Sequence, residues 1–352
     1  MQVRQDNERR RALIFLAFGV LSFGFSGVLI KLCRFPPAMI ASFRMILAGA
    51  VLTPFCIGAW RCFLKERGAA GVLPLVVPGV LLGLHFQAWV AGLKLTTVAT
   101  GTFIFSINPV FFALAERFVR RRRIPPSALV ALGLVIAGAL WLFWVKEGRL
   151  GLGGDLRGDL LCLLSTLLFV IYLFVSRWVT QTSRSAKTQT SRLAQTPRPQ
   201  KADAQTPRPQ QAVPHHLYIH VVYLGGGLAT LPVALVGGQF GRMDLGDLGS
   251  TLALIGLALF PTLIGHTANN YAVRFLPPLT VSFFTLAEPL LATAAAVLVL
   301  SELPAPLELP TYLLFLAATV YYVVRSRGAP LEKLPKRRPR DFTSGRKRGS
   351  SR

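Results

Sequence analysis

Apolar residues in this chain do not alternate with polar ones along one face of a helix or strand; they come in blocks. Ten stretches, near 12–31, 37–57, 73–93, 98–117, 126–145, 158–177, 215–236, 250–272, 279–300 and 307–324, are apolar almost throughout. A bilayer core of roughly 30 Å takes about 20 helical residues to cross. The pattern predicts an all-α integral membrane protein with ten transmembrane helices. The first block is too long for a cleaved signal and no A-x-A-like site follows it, so it counts as a helix.

The polar text between blocks supplies the topology. With the N-terminus in the cytoplasm, 31 of the 39 Lys and Arg residues fall on the cytoplasmic side, seven fall outside, and Arg44 lies within a helix. Positive charge collects on the cytoplasmic side of membrane proteins, so both termini are predicted there. The net charge of +24 is largely this asymmetry. Residues 1–11 form a basic N-terminus and residues 325–352 a basic tail, expected to meet anionic lipid. The tail has no interleaved aromatic residues beyond Phe342, which argues against nucleic acid as a partner. Between the sixth and seventh blocks, "TQTSR" occurs at 180–184 and 188–192, and "AQTPRPQ" at 194–200 and 204–210. Such polar, Pro-rich text buries little apolar surface, so 180–213 is predicted to be a disordered cytoplasmic linker.

The two halves repeat each other. "AGLKLTTVATGTFIFSINP" (91–109) lies over "YAVRFLPPLTVSFFTLAEP" (271–289) without a gap, so Asn108 meets Glu288 and Pro109 meets Pro289. Five helices is an odd number, so two consecutive copies cross the membrane in opposite senses. The first repeat is assigned to 12–179, with 12–145 as the repeat proper. The second is assigned to 158–324, interrupted by the linker. Inverted five-helix repeats of this kind hold their solute near the midplane.

Composition changes this picture little. The chain is 52% hydrophobic and only 15% charged. Cys33, Cys56, Cys62 and Cys162 show neither metal-ligand spacing nor a disulfide framework, and no cofactor is expected.

Polar residues inside apolar blocks are candidate functional groups. Glu288 stands near the middle of the ninth block, where a charge costs at least ~2.5–3.5 kcal/mol. It reads either as a proton- or cation-binding group or as a carboxyl that ties helices together. Pro109 and Pro289 each remove one helical hydrogen bond and predict kinks at matching depth, as hinges would need. His85 and Trp89 share a face of the third helix, with Gln87 nearby. His266 and Asn270 share a face of the eighth, with Asn269 beside them; Tyr172 and Ser165 share one of the sixth. Arg44 is read as structural, Glu116 as pairing with Arg120, and His215 and His216 as residues beside the linker. Phe103, Phe105, Phe111, Phe112, Phe283 and Phe284 cluster near the centre and suggest an amphipathic solute.

Three stretches, "FRMILAGA" (43–50), "SINPVFFAL" (106–114) and "LAEPLLATAAAVLVLSE" (286–302), in this order and repeat position, resemble the EamA-type carriers of the drug/metabolite transporter superfamily. The resemblance covers both repeats. It implies a cavity lined by helices one, three, four, six, eight and nine, and export across a bacterial plasma membrane (the inner membrane). The chain departs from the pattern at Asn108, at the arginine run Arg120–Arg123, and in the 180–213 insert.

The expected function is secondary active transport of a small organic metabolite, such as an amino acid or drug-like amphipathic cation, by alternating access. Two alternatives stay open: an intramembrane enzyme using His85, His266 and Glu288, and a non-transporting membrane scaffold. Against the enzyme, no HExxH or nucleophile motif is present, and Glu288 lacks a second acid. The residues leave solute identity, direction, proton coupling and homodimer formation undecided.

Overall fold

A computed structural model describes residues 2–147, 155–193 and 213–326. Among them every regular element is helical. Ten helices are long and apolar enough to span a membrane: α1 (Asp6–Leu32), α2 (Pro37–Arg67), α3 (Ala69–Leu95), α4 (Val98–Val119), α5 (Pro126–Val145), α6 (Leu156–Thr180), α7 (His215–Val236), α8 (Leu248–Ala272), α9 (Pro278–Leu300) and α10 (Pro306–Arg325). Phe55, Leu140, Trp144, Leu298 and Val320 project outward without cover. Water would penalise such a surface, whereas lipid accepts it.

Two elements run longer than the apolar pattern predicts. α2 continues past residue 57 through Lys65 and Arg67, cations that suit a helix C-terminus, and ends at Gly68 with φ +66°. The helix that contains α6 runs from Leu156 to Leu193 and includes both TQTSR copies, so the first part of the predicted linker is helical rather than irregular. Residues 194–212 of the linker and 327–352 of the tail lie outside the described residues.

The bundle carries the repeat in its packing. α3 packs on α6 as α8 packs on α1, α3 crosses α7 as α8 crosses α2, and the pairs α2–α7 and α5–α10 join equivalent helices. At the α3–α7 crossing, Gly79 and Gly226 lie back to back: a Cβ added at Gly226 would come 2.2 Å from the Gly79 carbonyl oxygen. Small residues allow this approach in a setting where no hydrophobic force drives helices together. Loops on the face opposite the termini interlock. Lys31 Nζ donates to the Thr96 carbonyl at 2.7 Å, Lys94 Nζ donates to the Cys33 carbonyl, and the Arg34 amide donates to Ser250 Oγ at 2.8 Å.

α4 and α9 are both broken midway. In α4 the helix Val98–Phe105 gives way to Asn108–Leu114, and in α9 Pro278–Thr285 gives way to Glu288–Leu300. Pro109 and Pro289 lack the donors that would bridge these breaks. The predicted kinks are therefore present, at equivalent residues.

Candidate functional site

A small cavity of about 20 Å³ lies between the helices, lined by Phe23, Ser26, His85, Phe86, Trp89, Phe105, Phe169, His266 and Glu288. These residues come from α1, α3, α4, α6, α8 and α9, the helices that the resemblance implied. Breaks and widened turns place several of them. α1 is interrupted at residues 24–25, between Phe23 and Ser26. α8 widens to a π-helix over Ala258–His266, with Pro261 inside it. Pro261 leaves the Leu257 carbonyl without its usual donor, and the Thr262 hydroxyl donates to it instead at 2.7 Å. The widened segment ends at His266, on the cavity wall.

The wall is largely a ring of aromatic edges and faces. His85 lies 5.3 Å from Phe169 and 5.9 Å from His266, Phe86 lies 4.8 Å from His266, and Trp89 lies 5.5 Å from Phe105, measured between ring centres. His85 Nδ1 sits 2.9 Å from the Ser165 carbonyl and 2.8 Å from its hydroxyl. A bond to that carbonyl puts the proton on Nδ1 and leaves Nε2 as an acceptor. Glu288 is the one carboxyl on this wall. It is 5% exposed, and its carboxyl makes no hydrogen bond or ion pair with any described residue.

Asn108, the repeat partner of Glu288, is spent on structure. Its amide nitrogen donates to the Phe105 carbonyl at 2.8 Å and to Thr285 Oγ1 at 3.3 Å. The first bond satisfies the carbonyl that Pro109 deprives of a donor, and the second joins the two breaks across the repeat interface. An ionised carboxyl has no proton to donate, so Glu288 in that form cannot copy this cap.

The other predicted residues divide. His85, Trp89, His266 and Glu288 meet at the cavity. Gln87 does not: its amide nitrogen reaches Ser42 Oγ at 3.0 Å and the Ala38 carbonyl at 3.3 Å, tying α3 to α2. One residue along a helix rotates a side chain by about 100°, which turns Gln87 off the wall that Phe86 occupies. Asn270 and Tyr172 are buried in a network on the side of the cavity nearer the termini. Asn270 Nδ2 donates to the Tyr172 hydroxyl and, at 2.8 Å, to the His266 carbonyl. Asn270 Oδ1 accepts from Ser176 Oγ at 2.7 Å, and Ser176 accepts from the Tyr218 hydroxyl at 2.8 Å. Asn269 is fully buried, and neither amide atom has a partner among the described residues.

Of the six phenylalanines expected near the solute, only Phe105 lines the cavity. Phe103 packs on Tyr312, Phe283 stacks on Tyr322 at 4.2 Å, and Phe112 packs behind Phe169. Glu116 pairs with Arg120 at 3.0 Å, as its spacing predicted. Among the described residues no group of three or more His, Cys, Asp or Glu side chains converges as metal ligands would.

Ten spanning helices in two inverted repeats, with a ring-lined cavity between them, define the architecture of a solute carrier. Residues 10–144 and 211–324 match the EamA-like transporter family, most of the chain in two copies, and the protein belongs to that family. A solved structure described as "Crystal structure of protein" superposes with a TM-score of 0.63 at 16% identity, over 90% of this chain and 98% of that one. At that identity the likeness shows the fold. No curated protein matches the sequence.

Proposed function

We propose that this carrier moves a small amphipathic organic solute, an amino acid or drug-like cation in chemical type, by alternating access, and that Glu288 couples the movement to protons. The observation that carries this reading is the partnerless carboxyl of Glu288 on a ring-lined wall midway across the bundle. A carboxyl without a counter-charge on that wall can take either a proton or a cationic group, so the two compete for one position. Aromatic faces around it attract organic cations and apolar bodies alike. Competition at one carboxyl is sufficient for exchange of proton against solute, and export follows where the proton gradient is inward. The breaks in α4 and α9 serve as the hinges of the rocking motion.

The basic asymmetry of the loops supports cytoplasmic termini in a bacterial plasma membrane, with the tail held against anionic lipid. Single cysteines near Asp155 and Asp244 should react with an impermeant reagent from outside, and cysteines near Lys201 and Arg340 should not. The coupling is tested in proteoliposomes with radiolabelled candidate solutes and an imposed pH gradient. Glu288→Gln should insert normally and lose proton-driven accumulation while keeping solute exchange. Full accumulation by this variant would leave the carboxyl as a tie between helices.

A further inference from the structure

Arg44 is fully buried in α2, and the way it is held is unusual for a structural arginine. Its Nε donates to Thr262 Oγ1 at 2.8 Å, at the π-helical turn that Pro261 creates in α8. Its guanidinium carbon lies 4.0 Å from the centre of the Phe86 ring, and Phe86 lines the cavity. Nη1 and Nη2, the two nitrogens that form the outer edge of the fork, have no hydrogen-bond partner among the described residues. No acidic side chain among the described residues pairs with it. A guanidinium stays protonated at any physiological pH, and in a membrane interior it needs an anion or strong acceptors. The fork is thus positioned on one side and empty on the other, one aromatic ring away from the cavity.

Like Nη1 and Nη2 of Arg44, Nδ1 of His266 on the cavity wall has no hydrogen-bond partner among the described residues. Packing that served only to lock helices would have satisfied them, because an unmet buried group costs more than a made bond returns. Arg44 and His266 both pack on the Phe86 ring, at 4.0 Å and 4.8 Å from its centre.

The geometry points to Arg44 as the residue that receives a carboxylate, or a comparable small oxyanion, of the carried solute. This rests on the cavity being the transport site. The solute then has an apolar body for the rings and an anionic end for the Nη edge, reached when Phe86 turns aside. Glu288 is left to take a proton or an ammonium. A solute without an anionic end would leave the fixed charge of Arg44 without a counter-charge. Planar, bidentate pairing favours carboxylate over a spherical anion.

The test uses the purified full-length protein and ligand-induced thermal stabilisation, which follows affinity. The probes are leucine, methionine, phenylalanine and tryptophan, each beside its methyl ester and its decarboxylated amine. At least one acid should bind on the order of tenfold tighter than its ester, the scale of one charge-assisted bond pair. Arg44→Gln should bring acid and ester to parity, and Arg44→Lys should restore part of the difference. Thr262→Val frees Nε without removing the charge and should give an intermediate preference. Glu288→Gln should keep the acid preference even where proton coupling is lost, which separates this claim from the previous one. Parity of acid and ester in the unmodified protein, or a preference that survives Arg44→Gln, overturns the assignment. So does equal stabilisation by chloride or phosphate, which would mark a free-anion site. Where Arg44→Gln does not fold, an unchanged preference in Thr262→Val decides against it.

Discussion

α4 and α9 are the same device built twice, once to hold and once to work. Both break at equivalent residues: the Ser106 amide turns back to Phe103 as Leu286 does to Phe283, and Ile107 to Ile104 as Ala287 does to Phe284. Hydroxyls at the same offset bond in the same way, Thr102 to the Ala99 carbonyl and Ser282 to the Leu279 carbonyl. Both helices end alike as well. Arg121 at φ 53° and Ser301 at φ 56° are left-handed, and the next amides, of Arg122 and Glu302, donate back to the carbonyls of Glu116 and Ala296. Backbone geometry has been kept while the residue at the break differs. Asn108 caps its own helix and clamps Thr285, whereas Glu288 makes no such bond and faces the cavity. A break in a membrane helix is thus a place where a donor is wanted, and the repeat that withholds the donor has a group free for other chemistry.

The crossings of the two halves differ in the same spirit, and the largest expected effect lies there. α3 meets α7 through Gly79 and Gly226, while the equivalent crossing of α8 and α2 is bridged by Arg44 and Thr262. Gly226→Leu should cost about 3 kcal/mol or more, because the Gly79 backbone cannot yield. Size-exclusion profile and melting temperature would show it. Gly133, with nothing within 4 Å of an added Cβ, should accept leucine with little change.

Next come the residues at the breaks. Asn108→Leu leaves the Phe105 carbonyl without its side-chain donor and should destabilise by about 1–3 kcal/mol. Glu288→Asn makes the second break a chemical copy of the first and should be neutral or stabilising by about 1 kcal/mol. Loss of stability in both variants would mean that the two carboxamide positions are not equivalent. A smaller effect is expected at the helix ends. Arg121→Gly and Ser301→Gly relieve the same left-handed strain and should each stabilise by about 0.5–1 kcal/mol. A loss at Arg121 alone would show that its side chain, and not only its backbone, holds the cap.

The smallest effect separates the starts of α3 and α8. α8 begins on Asp247, whose carboxylate accepts from the Ser250 hydroxyl at 2.7 Å and the Ser250 amide at 3.2 Å. These bonds, chiefly that to the hydroxyl, hold the Asp247 carboxyl below the usual carboxylate range. Its folded pKa being lowered, the contribution is present above the ordinary Asp range near pH 4 and fades as pH falls through it. α3 begins after Gly68 on a 3-10 turn, without a side-chain cap. Protection from hydrogen exchange should fall at residues 248–251 as pH is lowered below about 4, and not at 69–73.

Ten helices, the inversion and the paired breaks were legible because an apolar block and a mid-block proline state their physics directly. Glu288, His85, Trp89 and His266 stood out as polar or amphipathic residues in apolar text, and all four reach the cavity. Phe86 and Phe169 gave no such signal, because a phenylalanine that faces a cavity reads like one that faces lipid. Gln87 was misplaced because side-chain direction turns by a third of a circle per residue, finer than block reading resolves. The π-helical turn was announced only by Pro261, and the Thr262 hydroxyl it positions could not be paired with Arg44, more than two hundred residues away, without the fold. The helix through 180–193 was hidden by a repeated polar composition.

The central claim, that Glu288 is the titrating member of an otherwise matched pair, is tested most directly by counting protons. Purified protein in weakly buffered detergent solution is mixed with a solute it binds, and the pH change is recorded. The account predicts release of about one proton per solute bound near neutral pH, by linkage between the two occupants. It predicts none from Glu288→Asn, with the Asn108→Leu variant still releasing. Proton release that persists undiminished in Glu288→Asn would contradict it.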